Sequence, residues 1–72
     1  MSPLVSHVGA VAYALHPALR RLLPTDRIEA MTDIDEFWAA IQQVAPELEA
    51  PLRAHPRILF YLADDARDRS RD

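Results

Sequence analysis

Six prolines constrain this chain more than any other feature, because they divide 72 residues into short segments. Proline has no backbone N–H and disfavours helical geometry at the residue before it, so helices tend to begin at a proline or end ahead of it. The sequence therefore predicts several short helices with kinks rather than one or two long ones. The six are Pro3, Pro17, Pro24, Pro46, Pro51 and Pro56.

Two segments carry apolar residues at helical spacing. Within residues 3–23 they recur every three or four positions, and within residues 33–44 they form a continuous face. Pro17 should end the first helix near Leu15, and Thr32 is expected to cap the second, whose first turn is acidic. Together the two stripes predict a core of Val11, Leu15, Leu19, Phe37, Trp38 and Ile41.

The second half of the chain is harder to assign from periodicity. Residues 46–54 predict a short helix that Pro51 kinks. Residues 58–62 are a continuous apolar run, which fits either a helix or a buried strand. No second strand is predicted to pair with it, so we expect a helix from Arg57 to about Ala66.

The end of the chain differs in composition, because Asp and Arg alternate from Asp64 onward. Such a sequence predicts a flexible, charged tail over residues 64–72 that follows a single helical domain over residues 1–63. The expected fold class is all-α, in the form of a small helical hairpin or a three-to-four-helix bundle with short, proline-kinked helices.

A chain of this size buries only about 60% of its unfolded surface, so its core contributes little stability. It contains no cysteine, which excludes disulfides, yet half of its residues are apolar. Two apolar clusters, one near each end, contain more apolar surface than a small bundle can easily bury. Exposed apolar patches usually mark sites of contact with another molecule. They predict an interface with a protein partner or with a copy of the same chain. The candidate residues are Leu4, Val5, Val8, Ile58, Phe60 and Tyr61.

Charge is distributed unevenly around a net charge of −3. Residues 25–49 carry seven acids and one arginine, for a net −6, while the segments before and after them are basic. This pattern predicts a candidate acidic face formed by Glu29, Asp33, Asp35 and Glu36. The spacing of the middle segments resembles a helix-turn-helix, but the second helix would bring carboxylates to DNA phosphates, which disfavours nucleic acid as a partner.

The residues that catalysis or metal binding would need are poorly placed in the sequence. The three histidines, His7, His16 and His55, lack the spacing of a zinc pair, and the single glycine, Gly9, excludes a glycine-rich phosphate loop. The serines lie near the chain ends, where a catalytic base is hard to position. The sequence therefore predicts a protein that is not an enzyme and that needs no metal or cofactor.

Residues 2–19 carry no formal charge, which raises the question of a membrane. Polar residues and Pro17 interrupt this run, and no basic residue precedes it as in a signal peptide. A membrane is therefore disfavoured as a partner, and we expect a cytoplasmic location.

These features together predict a non-enzymatic protein–protein interaction module. A small assembly subunit or an accessory factor of a larger complex fits the size, and so does association with a virus or a mobile element. One alternative is a small inhibitor or regulator that presents the acidic helix to a basic site. The other is an amphipathic peptide that lies on a membrane surface through residues 3–23.

Overall fold

The computed structural model describes residues 3–70. Within that range the chain forms helices and no strands, so the all-α prediction is confirmed. Three long helices dominate the fold, and the shorter ones connect them. The elements are α1 (Pro3–Leu15), α2 (Leu19–Leu22), α3 (Thr25–Glu29), α4 (Ile34–Val44), a 3-10 turn (Pro46–Leu48), α5 (Glu49–Ala54) and α6 (Pro56–Ser70).

Most of the prolines lie at or near the boundaries of these elements. Pro17 follows the end of α1, Pro46 begins the 3-10 turn and Pro56 begins α6. Segment 46–54 is not one kinked helix, because it divides into the 3-10 turn and α5. Pro51 is the third residue of α5, where a helix offers no acceptor for an N–H group, so proline is tolerated there.

The first turn of α4 is capped one residue later than predicted. The Asp33 side chain accepts a hydrogen bond from the backbone N–H of Glu36, at 3.0 Å. The Glu36 carboxylate in turn accepts from the backbone N–H of Thr32 at 2.8 Å and from the Thr32 hydroxyl at 3.3 Å. This exchange of hydrogen bonds is a variant of the capping box. In the usual form the carboxylate bonds the backbone N–H of the cap residue, whereas here Glu36 bonds that of Thr32, the residue before the cap.

The core is centred on α1, which packs against α6, α3 and α4, and α5 packs against α6 and α4. Phe37 and Trp38 meet edge to face, with ring centroids 5.2 Å apart. Five of the six predicted core residues are buried, and the exception is Leu15, which is 42% exposed. Leu15 is the last residue of α1, and the chain turns away there toward Pro17. The largest fully buried side chains are Leu19, Leu23, Phe37, Ile41, Leu52 and Ile58.

A helix-interior glycine lets α1 and α3 approach closely. A Cβ atom added at Gly9 would lie 3.2 Å from Cδ1 and 3.3 Å from Cγ2 of Ile28. Glycine in a helix interior costs about 1 kcal/mol relative to alanine. The close packing of Ile28, which is 4% exposed, offsets that cost.

The last helix is longer than the sequence predicted. α6 runs through Ser70, past the expected end near Ala66, and crosses the predicted domain boundary at residue 63 without a break. Opposite charges at helical spacing support this extension, as shown by the Arg67–Asp64 ion pair at 3.2 Å. Residues 71–72 of the predicted tail lie outside the described residues, and the flexibility of the tail stays a prediction.

Candidate functional site

Four of the six candidate interface residues are part of the core rather than of an exposed surface. Val5, Val8 and Ile58 have no exposed area, and Leu4 is 9% exposed. The fold therefore covers these four side chains within a single chain, and an interface at these positions stays a prediction. The physical reason is that α1 and α6 pack against each other, so the two apolar ends of the chain cover one another.

The remaining two candidates, Phe60 and Tyr61, do reach the surface. Phe60 is 60% exposed, its neighbour Leu59 is 49% exposed, and Tyr61 is half-buried. The rings of Phe60 and Tyr61 meet edge to face at 5.7 Å, and the His7 ring meets Tyr61 in the same manner at 4.9 Å. His7, Tyr61 and Phe60 thus form an aromatic row that crosses from α1 to α6 and ends in solvent.

Charged side chains lie on both sides of this aromatic row along α6. Arg57 borders the depressions on one side of Tyr61. On the other side a depression between the start of α1 and the end of α6 is lined by Asp64, Asp65 and Asp68. Sequence reasoning identified Phe60 and Tyr61 but not these flanking charges, although their spacing from Phe60 is visible in the sequence.

The candidate acidic face is only partly available for a partner. Its four residues are exposed, but Asp33 and Glu36 are engaged in capping α4. Glu29 borders a depression against α1, whereas Glu36 borders a different one beside Arg27. Glu29 and Glu36 therefore border two different depressions, and neither Asp33 nor Asp35 lines either of them.

A depression with a volume of about 530 Å³ lies between α1, α2 and α3 in the described part of the chain. Its wall is stabilised by Tyr13, whose hydroxyl donates to the Leu23 carbonyl and whose ring lies 5.0 Å from the Arg20 guanidinium carbon. Small-molecule sites of this size orient their ligands through a few buried polar groups. Among the residues that the structure describes, none of the buried side chains is polar or charged.

A polar cluster that the sequence did not reveal connects α4 to α5. The Arg53 guanidinium lies over the Trp38 ring, 4.4 Å from its centroid, and forms an ion pair with Glu49 at 2.9 Å. A hydrogen bond from the Gln42 amide to Glu49 at 3.0 Å, together with the Arg53 contact, lowers the pKa of Glu49 from its ordinary value of 4.5. The cluster covers Trp38 and so has a structural role.

The histidines are dispersed in the fold. His7 packs on Tyr61, while the Nδ1 atom of His55 accepts a hydrogen bond from the Arg57 backbone N–H at 3.2 Å, in the first turn of α6. Within residues 3–70, there is no group of three or more acidic, histidine or cysteine side chains that could hold a metal ion.

Over the same range, no helix combines the length and the apolar character needed to cross a membrane.

The chain was compared with protein-family models, with curated proteins and with solved structures, and none of the three comparisons found a match. The surface of the chain itself is therefore the basis for a functional proposal.

Proposed function

We propose that this chain is a non-enzymatic protein–protein interaction module that docks through the outer face of α6, around Phe60. The observation that carries the proposal is the exposure of Phe60, which is 60% exposed next to a half-exposed Leu59. The other phenylalanine, Phe37, is completely buried. Burying apolar surface contributes a free energy of about 25 cal/mol per Å². A partner that covers Phe60 would therefore gain binding energy from this exposed area.

The surroundings of Phe60 resemble the anatomy of a protein interface. Such interfaces place aromatic side chains at the centre and polar or charged groups at the rim. Here Phe60 contacts the half-buried Tyr61, while Arg57 and Asp64 are exposed one helical turn before and after it. The residues that anchor binding energy in interfaces are typically Trp, Tyr and Arg, and two of these types are present.

A module of this kind suits a small assembly subunit or an accessory factor of a larger complex. The two alternatives have less support on the surface. The inhibitor alternative needs a free acidic face, but Asp33 and Glu36 are engaged in the α4 cap. The membrane alternative needs an exposed apolar face on α1, but Val5, Val8 and Val11 of that helix are buried.

Site-specific photo-crosslinking tests the proposal. A benzophenone amino acid replaces Phe60 in one version of the chain and Gln43, an exposed residue of α4, in the control version. Each version is irradiated both as purified protein and in extract of the source cells. We expect the chain with benzophenone at position 60 to form covalent adducts with protein. Adding an excess of unlabelled wild-type chain should suppress these adducts, whereas adding a Phe60→Asp chain should not. Equal adduct patterns from positions 60 and 43, or no adduct from position 60, would contradict the proposal.

A further inference from the structure

The outer face of α6 carries a short strip of alternating character, formed by Arg57, Phe60 and Asp64. These residues are three and four positions apart, so they follow one another along a single line on the helix. All three are exposed, whereas Ile58, on the opposite side of the helix, is completely buried. The strip therefore points away from the core and presents a cation, a phenyl ring and an anion in that order.

This order is complementary to itself when it is reversed. Phe60 stands within half a residue of the midpoint between Arg57 and Asp64. If two α6 helices lie antiparallel about a twofold axis at Phe60, each Arg57 faces Asp64 of the second copy. A twofold contact has this reciprocal form, in which each residue meets its counterpart twice. A parallel arrangement would instead bring like charges together, which disfavours it.

We propose that a second copy of this chain is the partner, docked antiparallel along α6 with the two Phe60 rings in contact at the twofold axis. This inference rests on the proposed function, because it uses the same face. Two Arg57–Asp64 pairs, one on each side of the rings, set the register. Their effect is on orientation and specificity more than on raw affinity.

The existing partner of Asp64 does not prevent this contact. Asp64 pairs with Arg67 at 3.2 Å, with the two side chains 55% and 72% exposed. An ionised carboxylate has two oxygens and about four acceptor positions, so it can bind a second guanidinium. Exposed pairs of this type contribute at most about 1 kcal/mol, which allows them to rearrange.

The contact between two single helices is small. α6 has 15 residues, which corresponds to a length of roughly 22 Å. Stable interfaces bury about 1,200 Å² or more in total, and pairs below that size are weak and transient. We therefore expect a reversible dimer that forms as the protein concentration rises from about 1 μM to about 1 mM.

Sedimentation equilibrium on the full chain tests the dimer and its register together. The wild-type mass should rise from 8.2 kDa toward twice that value over the concentration range. The Arg57→Asp and Asp64→Arg variants each place like charges opposite one another, so each should associate about tenfold more weakly or worse. Arg27→Asp, which makes the same change of charge at an exposed site on α3, should associate as the wild type does.

A mixture of the two single variants is the decisive sample. In a heterodimer of Arg57→Asp with Asp64→Arg, both facing pairs again have opposite signs, so association should return to the wild-type level. Circular dichroism confirms that each variant is folded. A wild-type chain that stays at 8.2 kDa overturns the inference. So does a dimer that the single variants leave intact, or one that the mixture fails to restore.

The outcome also separates this inference from the proposed function. If the chain remains monomeric while a benzophenone at position 60 captures a different protein, the interaction surface is supported and the second copy is refuted. If position 60 gives no adduct at all in either the purified chain or the extract, both are refuted.

Discussion

The two phenylalanines of this chain provide a matched test of the structure. Phe37 is the fourth residue of α4 and has no exposed area, and Phe60 lies in α6 with 60% of its area exposed. We predict that Phe37→Ala lowers the free energy of unfolding by about 3–5 kcal/mol, because it removes a buried ring and leaves a cavity. The same truncation at Phe60 removes little buried area and leaves no cavity. It should cost about 1 kcal/mol or less.

The size of the first effect is large relative to the stability of the whole chain. At about 0.05–0.15 kcal/mol per residue, 72 residues correspond to a total of roughly 4–11 kcal/mol. Phe37 also packs edge to face on Trp38 at 5.2 Å, and that contact disappears in the variant. Phe37→Ala should therefore be marginally folded at room temperature, whereas Phe60→Ala should unfold close to the wild-type midpoint.

Urea unfolding measures both variants. Far-ultraviolet circular dichroism follows the helices, and the fluorescence of Trp38, which is the only tryptophan in the sequence, follows the core. The measurements are made at a low micromolar protein concentration, at which the chain is mainly monomeric. Self-association through α6 then adds nothing to the measured stability of the wild type. Equal losses for the two variants, or a larger loss for Phe60→Ala, would refute the assignment of Phe37 to the core and of Phe60 to the surface.

Three further predictions concern local features. Asp33→Ala should cost about 1 kcal/mol by removing the α4 cap, while Asp35→Ala, which leaves that cap intact, should cost less in the same urea titration. The folded-state pKa of Glu49 is lowered, so its stabilising contribution is complete above pH 4.5 and is lost as the pH falls below that value. Glu49→Gln should therefore flatten the acid-induced loss of stability, and an unchanged pH profile would argue against the cluster. Gly9→Ala and Ile28→Val should be coupled, because the shorter side chain relieves the 3.2 Å approach. A double-mutant cycle with coupling below about 0.5 kcal/mol would contradict that contact.

Much of the local structure followed from the sequence. Pro17, Pro46 and Pro56 predicted element boundaries close to those observed, because the effect of proline on a helix is local. Proline lacks an N–H group, its ring clashes with the carbonyl four residues earlier, and it restricts the residue before it. The apolar face of residues 33–44 likewise predicted that Phe37 and Trp38 are buried. Errors at this level were small, such as the cap of α4, which Asp33 supplies instead of Thr32.

The candidate site could be predicted only in part. The sequence indicated that apolar residues near the two ends would need a partner, and Phe60 and Tyr61 do reach the surface. It could not show that Val5 and Ile58 lose all exposure within one chain. Arg57 and Asp64 could be identified as charged neighbours of an exposed ring only after the structure showed that Phe60 points outward.

Helical periodicity, caps and proline positions are properties of neighbouring residues, and the sequence by itself determined them. Which apolar face covers which other face depends on contacts between residues far apart in the chain. The pairing of α1 with α6, the approach of Gly9 to Ile28 and the position of Arg53 over Trp38 are contacts of that kind. A stripe of apolar residues shows that a helix will be covered on one side. Only the tertiary structure shows that the two ends of this chain cover each other and leave the outer face of α6 exposed.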